Sequence, residues 1–353
     1  MLAALVLAGS LSCRAAFALT TDSARVRAVA RRKVGPCRFE AARPAYALKC
    51  PAGLAPNPVA TIVTSYLHTP AKRSTDVYLQ RMETFFKLQA SIVAYIDFAY
   101  VETAERMARS SSSGGVSGGS SSPDGTTATT VIVPVTYSQF RTLACGLNVW
   151  RQEHMIDAEH DIHAPTLYPV WAEKATMVAE AARANCFGSA LFVWLDVGYF
   201  SETPLPAGPF PSAAGARAVE PGKTLLLAVD TPWIQRIADA QFDANRTLLS
   251  GIGHHDNVVT LGGGGFAGDA VAAVAWERAY LRMLDRYRAR GWFAGKDQNL
   301  FASVCIEAPG LCTLHDSKLR WYDLVHLLAG SMRVNRWELA SVGGRRTVVG
   351  ATN

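Results

Sequence analysis

The chain lacks several patterns that mark common classes of binding and redox proteins. Its seven cysteines include no C-x-x-C pair, which argues against a zinc ribbon or a dithiol redox motif. The net charge is only +6 over 353 residues, and no dense Lys/Arg cluster is interleaved with aromatic residues, which argues against a nucleic-acid groove. Beyond the N-terminal residues, no stretch is long and apolar enough to cross a bilayer. The composition, 49% hydrophobic, suits one large α/β domain or two smaller ones.

The N-terminus has the character of a targeting segment. Leu2–Leu11 is largely apolar, Arg14 ends the run, and Ala16-Phe17-Ala18 forms a small-x-small cleavage pattern. These features predict a secretory signal peptide over residues 1–18, although a basic first region is missing, so a short type II signal anchor is the alternative. We interpret residues 19–56, which include the basic cluster Arg25–Lys33, as a solvated stem.

The cysteine count agrees with a secretory route. One cysteine lies in the predicted signal and leaves an even number for disulfides, and Asn245-Arg246-Thr247 is a glycosylation sequon. Proximity along the chain favours Cys37–Cys50 and Cys305–Cys312, with Cys145–Cys186 as the remainder, but six cysteines allow about fifteen pairings. We therefore expect the protein in the lumen of the ER or Golgi, or secreted.

Alternating strands and helices predict the architecture from residue 57 onward. Ala60–Leu67 and Ser91–Ile96 have strand character and flank a helix over Ser74–Ala90, which makes a βαβ unit with parallel strands. The sequence therefore predicts one α/β domain over 57–353, a Rossmann-like αβα sandwich with a mainly parallel central sheet. Residues 110–130 are rich in Ser and Gly and are expected to form a disordered surface insertion.

An aspartate at the end of a buried strand is the first candidate for chemistry. Leu191–Leu195 is an uncharged apolar run typical of a strand buried on both faces, and Asp196 ends it. Ligands of open α/β sheets bind at the carboxyl ends of the strands, so we expect Asp196 to act in a site, as a metal ligand or otherwise, unless it is only a turn residue. Lys174 falls on the apolar face of the helix predicted over Thr166–Asn185, where it must meet an anion or extend to solvent.

Three further patterns have a functional and a structural interpretation. The run Gly262–Gly268 is either a phosphate loop or a flexible turn, since it does not directly follow the first strand and no Lys-Ser/Thr pair follows it. Asp297 is either a base for a hydroxyl or a helix N-cap. His254, His255 and Asp256 could supply a metal ligand, but adjacent strand residues point to opposite faces.

The order of these elements carries a family resemblance. The segments TIVTSYL, a lysine-bearing helix, FVWLDVGYF, a GGGGFAG turn before an aromatic helix, and WFAGKDQNLF resemble the HtrL/YibB-like family of the GT-A glycosyltransferase-like group. The resemblance covers about residues 60–328. It implies a GT-A-type fold that binds a nucleotide-diphospho-sugar and holds Mn²⁺ or Mg²⁺ with an Asp motif. Asp196 matches that motif, but Gly198 stands where the second carboxylate of D-x-D is expected.

The resemblance also implies roles for individual residues. Thr64 and Ser65 would lie near the nucleotide, Lys174 would face phosphate, and Asp297 would be the catalytic or acceptor-binding acid. The donor or acceptor sugar would lie against Gly265, Phe266 and Gly268, and His315 would be a further metal ligand beside Asp196. Asp196, Lys174, Gly265 and Asp297 should then line one pocket.

The function that this resemblance implies is transfer of a sugar to a glycan, protein or lipid acceptor in the secretory pathway. No nucleic-acid partner is expected, and a membrane anchor at the N-terminus is the alternative to a cleaved signal. Two other hypotheses remain open. The first is an inactive sugar- or nucleotide-binding homologue of the same fold, which the single Asp of the motif favours. The second is a secreted structural or adhesion domain in which Asp196 and Asp297 are only caps.

Overall fold

The computed structural model describes residues 37–70, 73–113, 129–232, 234–235, 260–342 and 345–349. The predicted signal peptide or anchor, the basic cluster, the first part of the stem, the sequon at Asn245 and the His254–Asp256 motif lie outside the described residues. No helix within the described part of the chain has the length and apolar character needed to span a bilayer.

The described residues form nine strands. Their order across the sheet is β3-β2-β1-β4-β6-β5-β7-β8-β9. Eight strands make the main sheet, and the ninth extends β8 in a hairpin. The strands are β1 Ala60–Tyr66, β2 Ser91–Asp97, β3 Thr129–Val135, β4 Leu191–Leu195, β5 Thr224–Ala228, β6 Leu261–Asp269, β7 Cys312–Asp316, β8 Arg336–Val342 and β9 Arg345–Val349.

Helices cover both faces of this sheet. They include α1 Thr75–Phe86, α2 Val101–Ser113, α3 Leu147–His154, α4 Leu167–Ala184, α5 Ala213–Ala216, α6 Ala270–Ala289, α7 Asp297–Glu307 and α8 Asp323–Leu328. Asp269 caps α6, since its side chain accepts a hydrogen bond from the Ala272 backbone N–H at 2.7 Å, as its position before the helix indicates.

Parallel pairing dominates the half of the sheet that holds the predicted site. Strands β1 to β4 are mutually parallel, with β1 between β2 and β4. Strand β6 runs in the opposite direction between β4 and β5, and β5 pairs in parallel with β7. The α/β class and the mostly parallel sheet are therefore confirmed.

Alternation along the strands builds two hydrophobic layers. Val63 and Val93 face the layer that contains α4, α6 and α7, whereas Ile62 and Ile92 face the layer that contains α1 and α8. The central strands β1 and β2 are thus apolar on both faces, as expected when helices cover both sides of a sheet.

The glycine-rich run is a strand and not a turn. Residues 261–269 form β6, where Phe266 pairs with Trp194 of β4 and with Leu226 of β5. Glycine lets neighbouring side chains contact the strand backbone: a Cβ at Gly265 would lie 2.8 Å from Leu324 and 3.0 Å from Tyr199. Close packing on the strand therefore accounts for the glycines, and the prediction of a turn or loop is wrong.

Residues 37–56, predicted to belong to a stem, pack on the globular domain. Phe39 is fully buried, and the Tyr46 hydroxyl donates a hydrogen bond to Glu173 of α4 at 2.8 Å. The predicted start of the domain at residue 57 is therefore too late, because these side chains belong to its core.

Three disulfides join the described cysteines, and two of the three favoured pairings are wrong. Cys37 pairs with Cys145 and Cys50 with Cys186, whereas Cys305–Cys312 is confirmed. The N-terminal segment packs along the body of the domain, which brings its cysteines to partners that are distant in sequence. Three disulfides fit a secreted or lumenal protein.

The predicted insertion at 110–130 is shorter than expected at both ends. Residues 110–113 complete α2, and Thr129 and Thr130 begin β3, which pairs with β2. Residues 114–128 lie outside the described residues.

Candidate functional site

A cleft opens at the carboxyl ends of β1 and β4. The chain runs from β1 outward through β2 and β3, then returns to place β4 on the other side of β1. Such a reversal leaves a crevice where ligands of open α/β sheets bind. Here the crevice is a cavity of about 420 Å³, lined by Ser65 from β1, Asp196 and Gly198 after β4, and Lys174 from α4. That volume suits a small organic ligand.

Lys174 is the central polar group of this cleft. Its Nζ lies 3.0 Å from Asp196 Oδ1 and 2.9 Å from Asp297 Oδ2, and it donates to the Gly263 carbonyl at 2.9 Å. Burial disfavours the charged ammonium, but Asp196 and Asp297 outweigh that effect and raise the pKa of Lys174. Of the two alternatives predicted for Lys174, contact with an anion is confirmed and extension to solvent is wrong.

Asp196 is the aspartate of this cluster that borders the cavity. Its side chain is 41% exposed, its Oδ1 accepts a hydrogen bond from Trp194 Nε1 at 2.8 Å, and its backbone N–H donates to the Gly264 carbonyl at 2.8 Å. Strand β4 therefore ends with the carboxylate fixed between Lys174 and Trp194, and with part of its surface open to a ligand.

Asp297 lies behind Lys174 and is not among the residues that line the cleft. Its side chain is only 6% exposed, and its Oδ1 accepts a hydrogen bond from the Gln298 backbone N–H at 2.9 Å. It is the first residue of α7, and Lys296 is the N-cap, so the structural alternative of a capping Asp297 is wrong. Burial raises the pKa of Asp297, and the ammonium of Lys174 opposes that rise.

The cleft includes one of the two predicted residues at the end of β1. Ser65 lines it, whereas Thr64 is fully buried and points to the opposite face of the sheet, with Ile62 and Tyr66. Distance from the end of the strand explains the difference, because Ser65 and Tyr66 at the carboxyl end of β1 both line the cleft, whereas Thr64 lies deeper in the sheet.

The glycine-rich strand borders the cleft through a different glycine from those predicted. Gly264 lines the cavity, whereas a side chain at Gly265 would meet Leu324 and Tyr199. Phe266 is buried and stacks on Trp194, with ring centroids 6.4 Å apart. Gly268 pairs with Phe192, near the opposite end of β4 from Asp196. The positions of Gly265, Phe266 and Gly268 therefore do not support the expected contact with a sugar. Gly265 also does not line the cleft that holds Asp196 and Lys174, contrary to the expectation of one shared pocket.

His315 lies on β7 and is not part of the cleft lining. Its Nδ1 accepts a hydrogen bond from the Asn335 backbone N–H at 2.9 Å, so Nε2 carries the proton and donates to Asp323 at 3.2 Å. Burial lowers the pKa of His315, against the opposing effect of Asp323. Both ring nitrogens are therefore engaged, which leaves no lone pair for the metal that we expected beside Asp196.

A different group within the described residues could hold a metal ion. Ligand-type atoms of Asp157, Glu159 and His163 lie within 4.8 Å of one another. Asp157 Oδ2 accepts hydrogen bonds from His163 Nδ1 and from the Tyr168 hydroxyl, both at 2.7 Å. The His163 ring lies edge-on to Trp171, which lines the cleft, so this group stands behind the cleft wall.

Sequence reasoning missed the cationic and aromatic side chains that complete the cleft. Arg81 of α1 lies over the Tyr78 ring, 5.7 Å from its centroid, and a Cβ at Gly198 would stand 3.0 Å from Arg81 Nη1. Arg81 follows Tyr78 by three positions, and residues at this spacing are neighbours on a helix, so the spacing alone could have placed Arg81 beside Tyr78. The other missed lining residues include His68, Arg73, Glu202, Trp321 and Tyr322.

Comparisons with known proteins add no relative to this picture. No protein-family model matches the chain, and no curated protein matches it significantly. The family resemblance therefore rests on the sequence segments quoted above, and the function must be inferred from the site itself.

Proposed function

We propose that the protein transfers a sugar from a nucleotide-diphospho-sugar to an acceptor hydroxyl, as a GT-A-type glycosyltransferase of the secretory pathway. The observation that carries this proposal is the Lys174 ammonium, fixed by Asp196 and Asp297 at a cleft that opens where the strand order reverses. A phosphate-bearing ligand is the natural occupant of a crevice that presents Lys174, Arg73 and Arg81 at the ends of parallel strands.

The rest of the lining fits the other parts of such a donor. Trp171, Trp194, Tyr199 and Tyr322 present aromatic rings to the cavity, and rings of this kind pack well against the faces of sugars and nucleobases. The Ser65 hydroxyl can donate or accept a hydrogen bond with a ligand hydroxyl. The cleft thus combines positive charge for phosphates with apolar faces for rings.

The reaction breaks the bond between the anomeric carbon and the β-phosphate oxygen. The electron pair of that bond stays with the departing nucleoside diphosphate, whose growing negative charge Lys174 and Arg81 stabilise. The acceptor oxygen forms the new bond to the anomeric carbon and gives up its proton to Asp196, the carboxylate of the cluster that is open to the cleft. Asp297, which we predicted as the base, acts in this proposal by positioning Lys174.

The residues at this site do not fit the Mn²⁺ or Mg²⁺ that the resemblance implies. Asp196 is bound by the Lys174 ammonium and the Trp194 N–H, Gly198 supplies no second carboxylate, and His315 is engaged elsewhere. A hard divalent cation needs several oxygen ligands free of competing cations. The proposed reaction therefore has no step through a metal ion.

One observation favours the second candidate, an inactive nucleotide- or sugar-binding homologue. The carboxylate predicted as the base is buried and does not face the cleft. Both candidates predict binding of a nucleotide sugar, and turnover distinguishes them: hydrolysis or transfer requires the enzyme, whereas binding alone identifies the homologue.

The first experiment is a thermal-shift screen of the purified chain against nucleotide-diphospho-sugars. A ligand that binds only the folded state raises the unfolding temperature by mass action, so we expect at least one nucleotide sugar to do so. The Asp196→Asn variant keeps an acceptor for Trp194 Nε1 and is expected to lose donor hydrolysis while it stays folded.

The matched control is Asp161→Asn, which changes an aspartate whose side chain is 89% exposed. It should turn over the donor at the wild-type rate. Wild-type turnover by Asp196→Asn contradicts the assigned role of Asp196, and the absence of any stabilising nucleotide sugar contradicts the proposed function.

A further inference from the structure

We propose that Arg81 replaces the divalent cation of this cleft, so that the site binds the phosphates of its ligand directly and without metal. The inference rests on the proposed function for the identity of the ligand, but the anion site itself is argued from geometry and charge. It concerns Gly198, the residue where the second carboxylate is missing, and the guanidinium that stands beside it.

Gly198 and Arg81 are in close contact. A Cβ at Gly198 would lie 3.0 Å from Arg81 Nη1 and 3.4 Å from Arg81 Cδ, so any side chain there would enter space that the arginine already borders. Gly198 itself has φ −88° and ψ 4°, a conformation that does not require glycine. The lack of a side chain at Gly198 therefore leaves room for Arg81. Where a D-x-D motif would carry its second carboxylate, this chain has the guanidinium of Arg81 beside the backbone.

Arg81 has no carboxylate partner among the described residues. No Asp or Glu oxygen in that part of the chain lies within 4.0 Å of its guanidinium, which lies over the ring of Tyr78 and beside Gly198. The same holds for Arg73, which also lines the cleft. Lys174 differs from the two arginines, because it contacts the carboxylates of Asp196 and Asp297.

The pairing of charges in the cleft, rather than their sum, favours an anion over a divalent cation. Lys174 is paired with the two carboxylates of Asp196 and Asp297, and the exposed Glu202, which also lines the cleft, interacts with the Tyr322 hydroxyl. Arg73 and Arg81 form no ion pair with a described carboxylate, so their guanidinium groups are the cations that a phosphate can bind. A guanidinium can bind two phosphate oxygens at once, whereas a divalent cation placed beside Asp196 would be repelled by Lys174 and by Arg81.

The test uses inorganic pyrophosphate as the probe, titrated by calorimetry into the purified chain in EDTA and, separately, in Mg²⁺. We expect wild-type protein to bind pyrophosphate in EDTA, and Arg81→Ala to bind it at least about tenfold more weakly, as the loss of a charge-assisted hydrogen bond predicts. Arg106→Ala is the matched control, because Arg106 lies on the exposed surface of α2 and does not line the cleft. It should bind as the wild type does.

A second pair of variants tests the charge without changing the arginine. Gly198→Asp places a carboxylate against Arg81, which should neutralise it, whereas Gly198→Ala adds a methyl group that meets the movable end of the same side chain. In EDTA we expect Gly198→Asp to bind pyrophosphate at least about tenfold more weakly than Gly198→Ala does. Urea unfolding of each variant establishes that it is folded.

Each result separates this inference from the proposed function. Wild-type binding that requires Mg²⁺, Arg81→Ala binding as tight as the wild type, or equal binding by the two Gly198 variants overturns the inference. If pyrophosphate binds in EDTA while no nucleotide sugar binds, the anion site stands and the proposed function fails. If nucleotide sugars bind only with a divalent cation, sugar transfer stands as the proposed function, whereas the inference and the metal-free course of the reaction both fail.

Discussion

Lys174 joins four separate parts of the fold through one ammonium group. It projects from α4, contacts Asp196 after β4 and Asp297 at the start of α7, and donates to the Gly263 carbonyl of β6. With only 4% of its side chain exposed, it cannot exchange these partners for water. The cluster therefore fixes the cleft wall and holds the ammonium of Lys174 at its base.

Replacing Lys174 with methionine should destabilise the protein. Lys174→Met leaves Asp297 buried without its cation, and removal of one partner from a buried ion pair typically costs about 3–5 kcal/mol. Urea unfolding measures the loss. The double variant Lys174→Met/Asp297→Asn removes the uncompensated charge as well and should recover part of the stability.

The loss in Lys174→Met should also depend on pH. Burial already raises the pKa of Asp297, and without Lys174 the folded-state pKa rises further above that of the unfolded chain. The Asp297 carboxyl group of the folded variant then keeps its proton to a higher pH than it does in the unfolded chain. The stabilisation that this protonation provides is present in acid and is lost as the pH rises through the folded-state pKa. The loss should therefore be smaller at about pH 5 than at about pH 8. An equal loss at both would show that Asp297 is not the residue responsible.

The sequence was sufficient to predict Asp196 and Lys174 as site residues, but not Arg81. Asp196 and Lys174 stand out because a charge at the end, or on the face, of an apolar segment must find a partner. Arg81 carries no such signal, since an arginine on a partly exposed helix usually faces solvent. Its role depends on the fold, which brings α1 against the end of β4.

At the level of elements, β6 shows where local pattern and tertiary context disagree. Four consecutive glycines have low strand propensity and no side-chain periodicity, so they predict a turn. Pairing with β4 on one side and β5 on the other decides the outcome. The strand then borders the cleft, because Gly264 lines the cavity and the Gly263 carbonyl accepts a hydrogen bond from Lys174.

Adjacent glycines of β6 should differ sharply in their tolerance of alanine. A Cβ at Gly263 would lie 2.8 Å and 3.1 Å from the two carboxylate oxygens of Asp297, which are fixed by Lys174 and by the backbone N–H of Gln298. A Cβ at Gly264 meets Tyr199 at 3.5 Å and Asp196 at 3.6 Å, which is ordinary contact. We expect Gly263→Ala to cost about 1–3 kcal/mol in urea unfolding, as overpacking does, and Gly264→Ala to stay within about 1 kcal/mol of the wild type.

This comparison tests the position of Asp297 as well as the strand. The two substitutions are chemically identical and one residue apart, so differences in propensity cancel. If both variants are equally stable, the carboxylate of Asp297 is not held against Gly263, and its assignment as the residue that positions Lys174 fails.

For the whole molecule, alternation of strands and helices was sufficient to predict the α/β class, because parallel neighbours need crossover helices. It was not sufficient to assign the N-terminal segment. Residues 37–56 form no helix or strand, so periodicity gives no sign that Phe39 and Tyr46 are core residues. Their long-range partners and the disulfide pairing arise only when the whole chain is folded.

The Cys50–Cys186 bridge should contribute strongly to the stability of the whole domain. The two cysteines are 136 residues apart in sequence, and even with Cys37–Cys145 intact the bridge closes a large loop in the unfolded chain. The loop-entropy estimate for such a constraint is about 4 kcal/mol. Urea unfolding of Cys50→Ala/Cys186→Ala under non-reducing conditions should show a loss of this size, and Cys186→Ala alone should show the same loss, because either change breaks the bridge. A loss below about 1 kcal/mol would mean that packing of Phe39 and Tyr46, rather than the bridge, holds the N-terminal segment on the domain.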